Sequence, residues 1–74
     1  MSLELHSIYF MKTDGWNITS SKKWLKDHNY KIKKNAPHFK GNELRYNQIP
    51  KQKFKTFVTK MLPSKVYLVL GIRK

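Results

Sequence analysis

Residues 20–30, SSKKWLKDHNY, hold the only long helical pattern in the chain and one of its two tryptophans. At helical spacing the apolar and the basic side chains separate onto opposite faces. One face holds Ser21, Trp24, Leu25 and His28, and the other holds Lys22, Lys23 and Lys26. Because a helix of about ten residues is marginal alone in water, its apolar face needs a partner. The stretch therefore predicts an amphipathic helix over residues 20–28 that is laid on a sheet.

Side chains suited to capping mark both ends of this helix. Ile18-Thr19-Ser20 supplies hydroxyl groups that can accept the first free amide hydrogens. Asn29 tolerates the left-handed conformation in which helices end. His28 is expected to be partly buried beside Trp24, where a cation near the helix C-terminus is favourable.

Alternating or continuous apolar side chains indicate strands in the rest of the chain. Residues 6–11 and 66–72 are rich in β-branched and aromatic side chains, which is typical of well-covered strands. Residues 30–33 and 43–47 alternate apolar and polar side chains with a period of two, which is typical of half-buried strands. These four segments are predicted to form a sheet.

The connections carry signals of their own. Residues 38–42 are predicted to form a turn, since Gly41-Asn42 can adopt the positive φ angles of tight hairpins. Pro50 lacks an amide hydrogen, so residues 48–53 are predicted to form a loop or a single helical turn. Gly71 is expected at a bulge or at a close approach in the last strand.

Residues 54–62, FKTFVTKML, fit two structures. One face of a helix would hold Phe54, Phe57, Val58 and Met61, whereas a strand would alternate Phe57, Thr59 and Met61 with Val58, Lys60 and Leu62. Two threonines and a valine, followed by a turn at Pro63-Ser64-Lys65, favour a hairpin with residues 66–72. We therefore predict a strand.

Together these elements predict a single small basic α+β domain over residues 1–74, in the order β-α-β-β-β-β. One amphipathic helix packs on a mostly antiparallel sheet of about four to five strands. A chain of this length can bury only one core. The large apolar side chains expected in the core are Ile8, Phe10, Trp24, Leu25, Tyr30, Ile32, Leu44, Tyr46, Phe54, Phe57, Met61, Val66, Leu68 and Leu70.

Net charge is the most pronounced feature of the composition. The chain carries 16 Lys and Arg against 4 Asp and Glu, a formal net charge of +12. Residues 22–60 hold 12 of these cations, with Asp27 and Glu43 as their only anions. Such a field attracts polyanions at long range and weakens steeply with salt. A solvated lysine-rich surface without a partner is the alternative interpretation.

Several kinds of chemistry lack the residues that they need. The chain has no cysteine, which excludes disulfides, cysteine-based zinc sites and thiol nucleophiles. Its three histidines show no metal-ligand spacing, and its four carboxylates are scattered over separate predicted elements. The sequence therefore predicts a protein that is not an enzyme and that has no metal site, no cofactor and no small-molecule substrate.

The sequence also bears on location. The first residues, MSLELHS, lack the basic segment of a signal peptide, and no apolar run approaches the roughly 18 residues of a membrane-spanning helix. The lysines are dispersed rather than lining one long amphipathic helix, which disfavours a membrane surface as partner. We expect a soluble intracellular protein without a membrane partner.

Short motifs over most of the chain carry a resemblance to a known family. They are Ser21, Trp24-Leu25-Lys26, His28 and Tyr30; Arg45-Tyr46 and Gln48; Phe54-Lys55-Thr56; and residues 66–71. In this order they resemble a small uncharacterised domain of tailed phages and large DNA viruses. The chain departs from that pattern at Asn29, where glycine is more usual, and in its heavier lysine content over residues 31–55. The resemblance implies a viral origin, an α+β fold and a location in the host cytoplasm, the nucleus or the virion; it implies no activity and no site residues.

The basic residues favour nucleic acid as the partner. They form a helix cluster, a strand cluster and a loop cluster: Lys22, Lys23 and Lys26; Lys31, Lys33, Lys34 and Arg45; Lys51, Lys53 and Lys55. If residues 30–33 pair with residues 43–47, Lys31, Lys33 and Arg45 share one sheet face as a basic stripe. Only two of the cations are Arg, the side chain that contacts guanine in bidentate fashion, so binding through phosphates with weak sequence specificity is expected. DNA and RNA, single and double strands, stay open.

Exposed aromatic side chains would add base stacking to phosphate contacts. The candidates for exposure are Tyr9, Phe39, Tyr46 and Tyr67. Strand parity with Leu44 favours a core position for Tyr46. Phe39, beside Lys40 in the predicted turn, is the stacking candidate, and an anchor for the loop is its alternative role.

The main rival function is protein–protein interaction or virion assembly, with an acidic partner or a second copy of the chain. It would use the basic surface and the C-terminal hairpin. A strand over residues 66–72 would be apolar on both faces, because Tyr67 and Val69 alternate with the other apolar side chains. Exposure of these two side chains would favour a contact surface.

Overall fold

The computed structural model describes residues 3–74 and contains one helix and one sheet. The strands are β1 (Leu3–Met11), β2 (His38–Lys40), β3 (Glu43–Asn47), β4 (Phe54–Met61) and β5 (Val66–Arg73), and the helix is α1 (Ile18–Asp27). Short 3₁₀ turns lie at Lys12–Asp14 and Lys51–Lys53. All neighbouring strands are antiparallel, in the order β2-β3-β1-β5-β4. The predicted α+β class, with one helix on a sheet of five strands, is confirmed.

The helix begins two residues before the predicted start because its cap is Asn17. The Ser20 amide donates to Asn17 Oδ1 at 2.8 Å, and the Asn17 amide donates to Ser20 Oγ at 3.0 Å. Ser20 therefore completes a capping box from inside the first turn instead of starting the helix. At the other end Asn29 has a φ of 61°, which confirms its predicted left-handed conformation.

Leu25 of α1 and one face of the sheet enclose the core. The fully buried apolar side chains are Ile8, Phe10, Leu25, Leu44, Tyr46 and Val66. Tyr46 Oη lies 2.6 Å from Ser21 Oγ, so the core position predicted for Tyr46 also gives its hydroxyl a partner. Trp16 and Trp24 are half-buried, and both rings pack against Phe10, with centroids 4.8 and 5.8 Å away. The predicted packing of the helix on the sheet is confirmed.

His28 differs from its prediction, since its side chain is exposed. It is the C-cap residue, immediately after the last residue of α1. Its ring stacks on Trp24 with the centroids 3.9 Å apart, and its Nδ1–H donates to the Trp24 carbonyl at 2.8 Å. His28 thus covers the outer surface of Trp24.

The predicted strand at residues 30–33 is wrong. The turn predicted over residues 38–42 is confined to Gly41-Asn42, where Gly41 has the predicted positive φ, while residues 38–40 form β2. Tyr30 and Ile32 pack on the core from an irregular segment, which explains their alternation. The Gln48 side chain supplies the hydrogen bonds that a strand would have made: its Oε1 accepts from the Lys31 amide at 3.1 Å, and its Nε2 donates to the Lys31 carbonyl at 2.8 Å. β3 instead pairs with β1 on one side and on the other with β2, to which Gly41-Asn42 joins it.

The C-terminal half follows the predictions more closely. Residues 54–61 form strand β4, and the segment before it contains the predicted single helical turn. Phe57 and Met61, however, are 42% and 59% exposed instead of buried. Their parity in β4 places them opposite Gly71 and Tyr67 of β5, on the sheet face away from α1.

A candidate nucleic-acid interface on the open sheet face

The sheet face away from α1, here called the open face, carries a row of side chains that crosses all five strands. In strand register the row consists of His38, Arg45, Tyr9, Tyr67 and Met61. The adjacent positions on the same face are Asn47, Ser7, Val69 and Thr59. Tyr67 and Val69 are the β5 side chains on the open face, and they are half-buried, so this side of β5 is covered only in part. The open face is therefore the surface on which cations and aromatic rings meet.

Arg45, Tyr9 and Tyr67 form a continuous stack across three strands. The Tyr9 and Tyr67 rings are parallel within 2°, with their centroids 4.9 Å apart. The guanidinium carbon of Arg45 lies 5.3 Å from the Tyr9 ring centroid, within range of a cation–π contact. Glu43 Oε1 accepts from Arg45 Nη2 at 2.6 Å and from Nε at 3.2 Å. Arg45 is thus held in place, and its other N–H groups can donate to a ligand.

The neighbourhood of Tyr9 changes the pKa of its phenol. Burial raises this pKa above its usual value, the carboxylate of Glu43 raises it further, Arg45 opposes both effects, and Tyr67 adds a small increase. A tyrosine is protonated at neutral pH at its usual pKa of about 10, and the raised pKa extends this to more alkaline solution. Tyr9 is therefore a neutral ring between a cation and a second aromatic ring.

A bulge in β1 brings His6 to the open face. The pairing of β1 with β5 shifts register between Leu5 and Ser7, which leaves His6 as the extra residue. Its ring centroid lies 5.0 Å from that of Phe57 and 5.9 Å from that of Phe54. Its Nδ1–H donates to the Ile49 carbonyl at 2.6 Å, which ties β1 to the connection between β3 and β4.

Two adjoining hollows lie over this part of the open face. The first, of about 320 Å³, is lined by His6, Tyr9, Arg45, Lys51, Phe57, Thr59 and Val69. The second, of about 410 Å³, is lined by His6, Lys33, Arg45, Asn47, Pro50, Lys51 and Gln52. Because His6, Arg45 and Lys51 line both, the hollows form one depression. Its cations are Lys33, Arg45 and Lys51, which came from two different predicted clusters.

The helix cluster of predicted binding residues lies elsewhere. Lys22, Lys23 and Lys26 border a separate groove beside α1, together with Tyr30 and Ile32. Lys23 Nζ pairs with Asp27 at 3.1 Å. Since α1 covers the opposite face of the sheet, the predicted clusters do not share one side of the molecule.

The predicted stripe of Lys31, Lys33 and Arg45 is realised only in part. No strand forms at Lys31, and only Lys33 and Arg45 line the same hollow. The remaining cations of the strand and loop clusters are exposed and line neither hollow: Lys31, Lys34, Lys53 and Lys55. Lys40 lies opposite Glu43 in register, on the open face.

Phe39, the predicted stacking residue, lies away from the open face. It is opposite Leu44 in register and therefore shares the parity of the core. Its ring is 56% exposed, and Lys12 Nζ lies 5.1 Å from its centroid. Together with Trp16 it borders a small hollow near the start of α1. Phe39 thus serves neither the core nor the depression.

His6 and Phe57 were not among the predicted site residues. The sequence could have indicated Phe57, because a strand over residues 54–62 places Phe57 and Val58 on opposite faces of the sheet. Nothing in the sequence marks His6, because its position depends on a bulge.

Two structural findings, on metal binding and on membrane-spanning helices, and the comparisons with known proteins complete the description of the chain. Within residues 3–74 no three His, Asp or Glu side chains are grouped so that they could hold a metal ion. The same residues contain no helix of the length and apolarity that crossing a membrane requires. Comparisons with family models, with curated proteins and with solved structures found no match. The resemblance to the viral domain therefore stays a prediction.

Proposed function

We propose that this chain is a non-enzymatic module that binds nucleic acid through phosphate contacts on its open face. The observation that carries the proposal is the convergence of Lys33, Arg45 and Lys51 on one depression. Arg45 is oriented by Glu43 and the Tyr9 ring, so it offers fixed N–H donors to a phosphate oxygen. Lys33 and Lys51 add mobile cations at the same place.

The overall charge supports this choice of partner. A net charge of +12 concentrates polyanions near the surface, and phosphates of a nucleic acid release counterions when lysines neutralise them. The proposal includes a viral origin, which is supported by the motif resemblance. It also includes the absence of catalysis; three of the four carboxylates, Glu4, Asp27 and Glu43, are each paired with a cation.

The open face is a better candidate than the groove beside α1. The groove is larger but is lined by lysines on long flexible side chains, of which Lys23 is paired with Asp27. The depression combines an oriented arginine with aromatic rings and two lysines. An oriented donor loses less conformational entropy when it binds.

Charge reversal on the two sides of the molecule tests the proposal. Lys33→Glu with Lys51→Glu changes the charge of the depression, and Lys22→Glu with Lys26→Glu makes the same net change beside α1. We measure the affinity for single- and double-stranded DNA and RNA by fluorescence anisotropy at about 50 and 200 mM salt. The first pair should weaken binding about 10-fold or more. For a single strand, each lost phosphate contact should reduce the slope of log affinity against log salt concentration by about 0.7, so losing two contacts should reduce it by about 1.4.

Two results would overturn the proposal. Equal losses from both pairs would mean that only total charge matters and that the depression is not a site. No measurable binding of any nucleic acid by the parent protein would remove the function itself. Thermal melting of all variants checks that each is folded.

A protein-interaction surface is the second candidate, and strand β4 favours it. β4 is an edge strand of eight residues, and Phe57, Val58 and Met61 on it are 42%, 49% and 59% exposed. Exposed apolar edge strands readily pair with another strand. Sedimentation without nucleic acid tests this candidate: a dimer that Val58→Lys dissociates would support it, and a monomer at all concentrations would count against self-association.

A further inference from the structure

Tyr9, Tyr67 and Phe57 on the open face are not part of the main core cluster, which lies on the other side of the sheet. Tyr9 and Tyr67 are half-buried, and Phe57 is 42% exposed. A solvated face of an antiparallel sheet usually carries polar side chains. Aromatic side chains kept at such a face, next to oriented cations, are typical of a surface on which bases stack.

The shape of the open face distinguishes between a duplex and a single strand. A duplex hides the faces of its bases in the stack and shows only their edges inside grooves, which a protein reads with an inserted helix or ribbon. The open face is the broad side of a sheet, and α1 lies on the opposite side. Unpaired bases, in contrast, present π faces that aromatic side chains can cover.

We infer that the nucleic acid bound here is single-stranded, with its bases stacked on Tyr67 and Phe57 and its phosphates held by Arg45, Lys33 and Lys51. This inference rests on the proposed function and names the form of nucleic acid that the same site takes. Both DNA and RNA single strands meet this chemistry, and the experiment includes both.

The positions of Tyr67 and Phe57 define how a single strand would lie on the open face. Arg45 covers the Tyr9 ring, and Tyr9 in turn stacks on Tyr67, so Tyr67 is the end of the stack at which a base can be added. Its neighbour in register on the far side is Met61, which is 59% exposed. Phe57 borders the depression that also contains Lys51. In register, Thr59 and Val69 lie between Tyr67 and Phe57, and both line this hollow together with Lys51. A strand with one base on each ring therefore crosses the hollow that Lys51 lines.

An abasic strand separates stacking from charge. It has the phosphates of an ordinary single strand of the same length and lacks the bases. With oligonucleotides of about ten residues, the parent protein should bind base-bearing strands about 10-fold or more tightly than abasic strands, and more tightly than duplex of equal length. Equal affinity for base-bearing and abasic strands, or tighter binding of duplex, would overturn the inference while leaving phosphate binding in place.

Ring removal locates the stacking. Phe57→Leu and Tyr67→Leu keep an apolar side chain and lose the π face, so each should reduce the preference for base-bearing over abasic strands and leave the salt slope unchanged. Phe39→Leu is the matched control, because its ring is exposed on the opposite parity of the sheet. If Phe39→Leu reduces the preference as much as the other two changes, or if neither of those has an effect, the assignment is wrong. If the parent protein binds no nucleic acid at all, the proposed function fails as well.

Discussion

The ring of Phe54 lies directly over the Cα of Gly71. A Cβ built at residue 71 would be 2.4 Å from two carbon atoms of that ring, closer than any unstrained contact. Phe54 is 4% exposed and contacts the rings of His6 and Phe57. The absence of a side chain at residue 71 therefore lets the first residue of β4 close one end of the open face.

Gly71→Ala should destabilise the fold by about 1–3 kcal/mol, because the new methyl group displaces an aromatic ring that is packed on several sides. Urea unfolding measures this loss. A second substitution, Phe54→Leu, frees the space, so the double variant should lose less than the sum of the two single variants. Strictly additive losses would show that the ring and the methyl group do not compete.

Ser21→Ala should lower the free energy of unfolding by about 1–3 kcal/mol. It removes the partner of the fully buried Tyr46 hydroxyl, which then stays unpaired in the core. Tyr46→Phe removes that hydroxyl, so Ser21→Ala should cost less in the Tyr46→Phe protein than in the parent. A cost that is independent of Tyr46 would contradict the buried hydrogen bond between α1 and β3.

Ser7→Ala should raise the free energy of unfolding, whereas Ser21→Ala should lower it. In residues 3–74, Ser7 Oγ is the buried side-chain polar atom that has no hydrogen-bond partner. Replacing a buried unpaired hydroxyl by a hydrogen atom relieves a desolvation cost, so the variant should be more stable by about 1 kcal/mol. Thermal and urea unfolding, compared with Ser21→Ala, check the sign. A loss of stability would mean that the Ser7 hydroxyl is bonded in solution.

Stability should fall in alkaline solution partly through two tyrosines. Burial raises the pKa of Tyr46, with the Ser21 hydrogen bond opposing it, and burial with the Glu43 charge raises that of Tyr9. Above the unfolded pKa of about 10 the folded state keeps more protons than the unfolded state, so stability declines as pH rises through the folded values.

Unfolding in urea at a series of alkaline pH values should show a smaller decline for Tyr46→Phe than for the parent protein. Lysine titration is common to both proteins and cancels in the comparison. Because the pKa of Tyr46 is raised, Tyr46→Phe should remove part of the tyrosinate absorbance that develops above a pH of about 10. Identical pH profiles for the two proteins would contradict the raised pKa of Tyr46.

The sequence predicted those elements that depend on local pattern. The helix follows from the positions of Trp24 and Leu25, and the last two strands follow from β-branched residues on both sides of a turn. The close approach at Gly71 could be expected because glycine inside a strand usually has such a reason. In each of these cases the determining residues are near one another in the chain.

The errors arose where distant residues decide the structure. Tyr30 and Ile32 alternate like strand residues, yet the Gln48 side chain takes the hydrogen bonds of a neighbouring strand. The depression on the open face combines residues from β1, β3, β4, β5 and two connections, and the register of the strands brings them together. Composition shows how many cations the chain has, but the sheet order determines that Lys33 and Lys51 meet while Lys22 and Lys26 face the other way.

The placement of the two tryptophans has a spectroscopic consequence. Trp16 and Trp24 both pack against Phe10 on the side of the sheet that α1 covers. Their intrinsic emission therefore reports whether the helix is docked on the sheet, while an event confined to the open face leaves it unchanged. Unfolding and ligand binding can thus be followed as separate optical signals in the same sample.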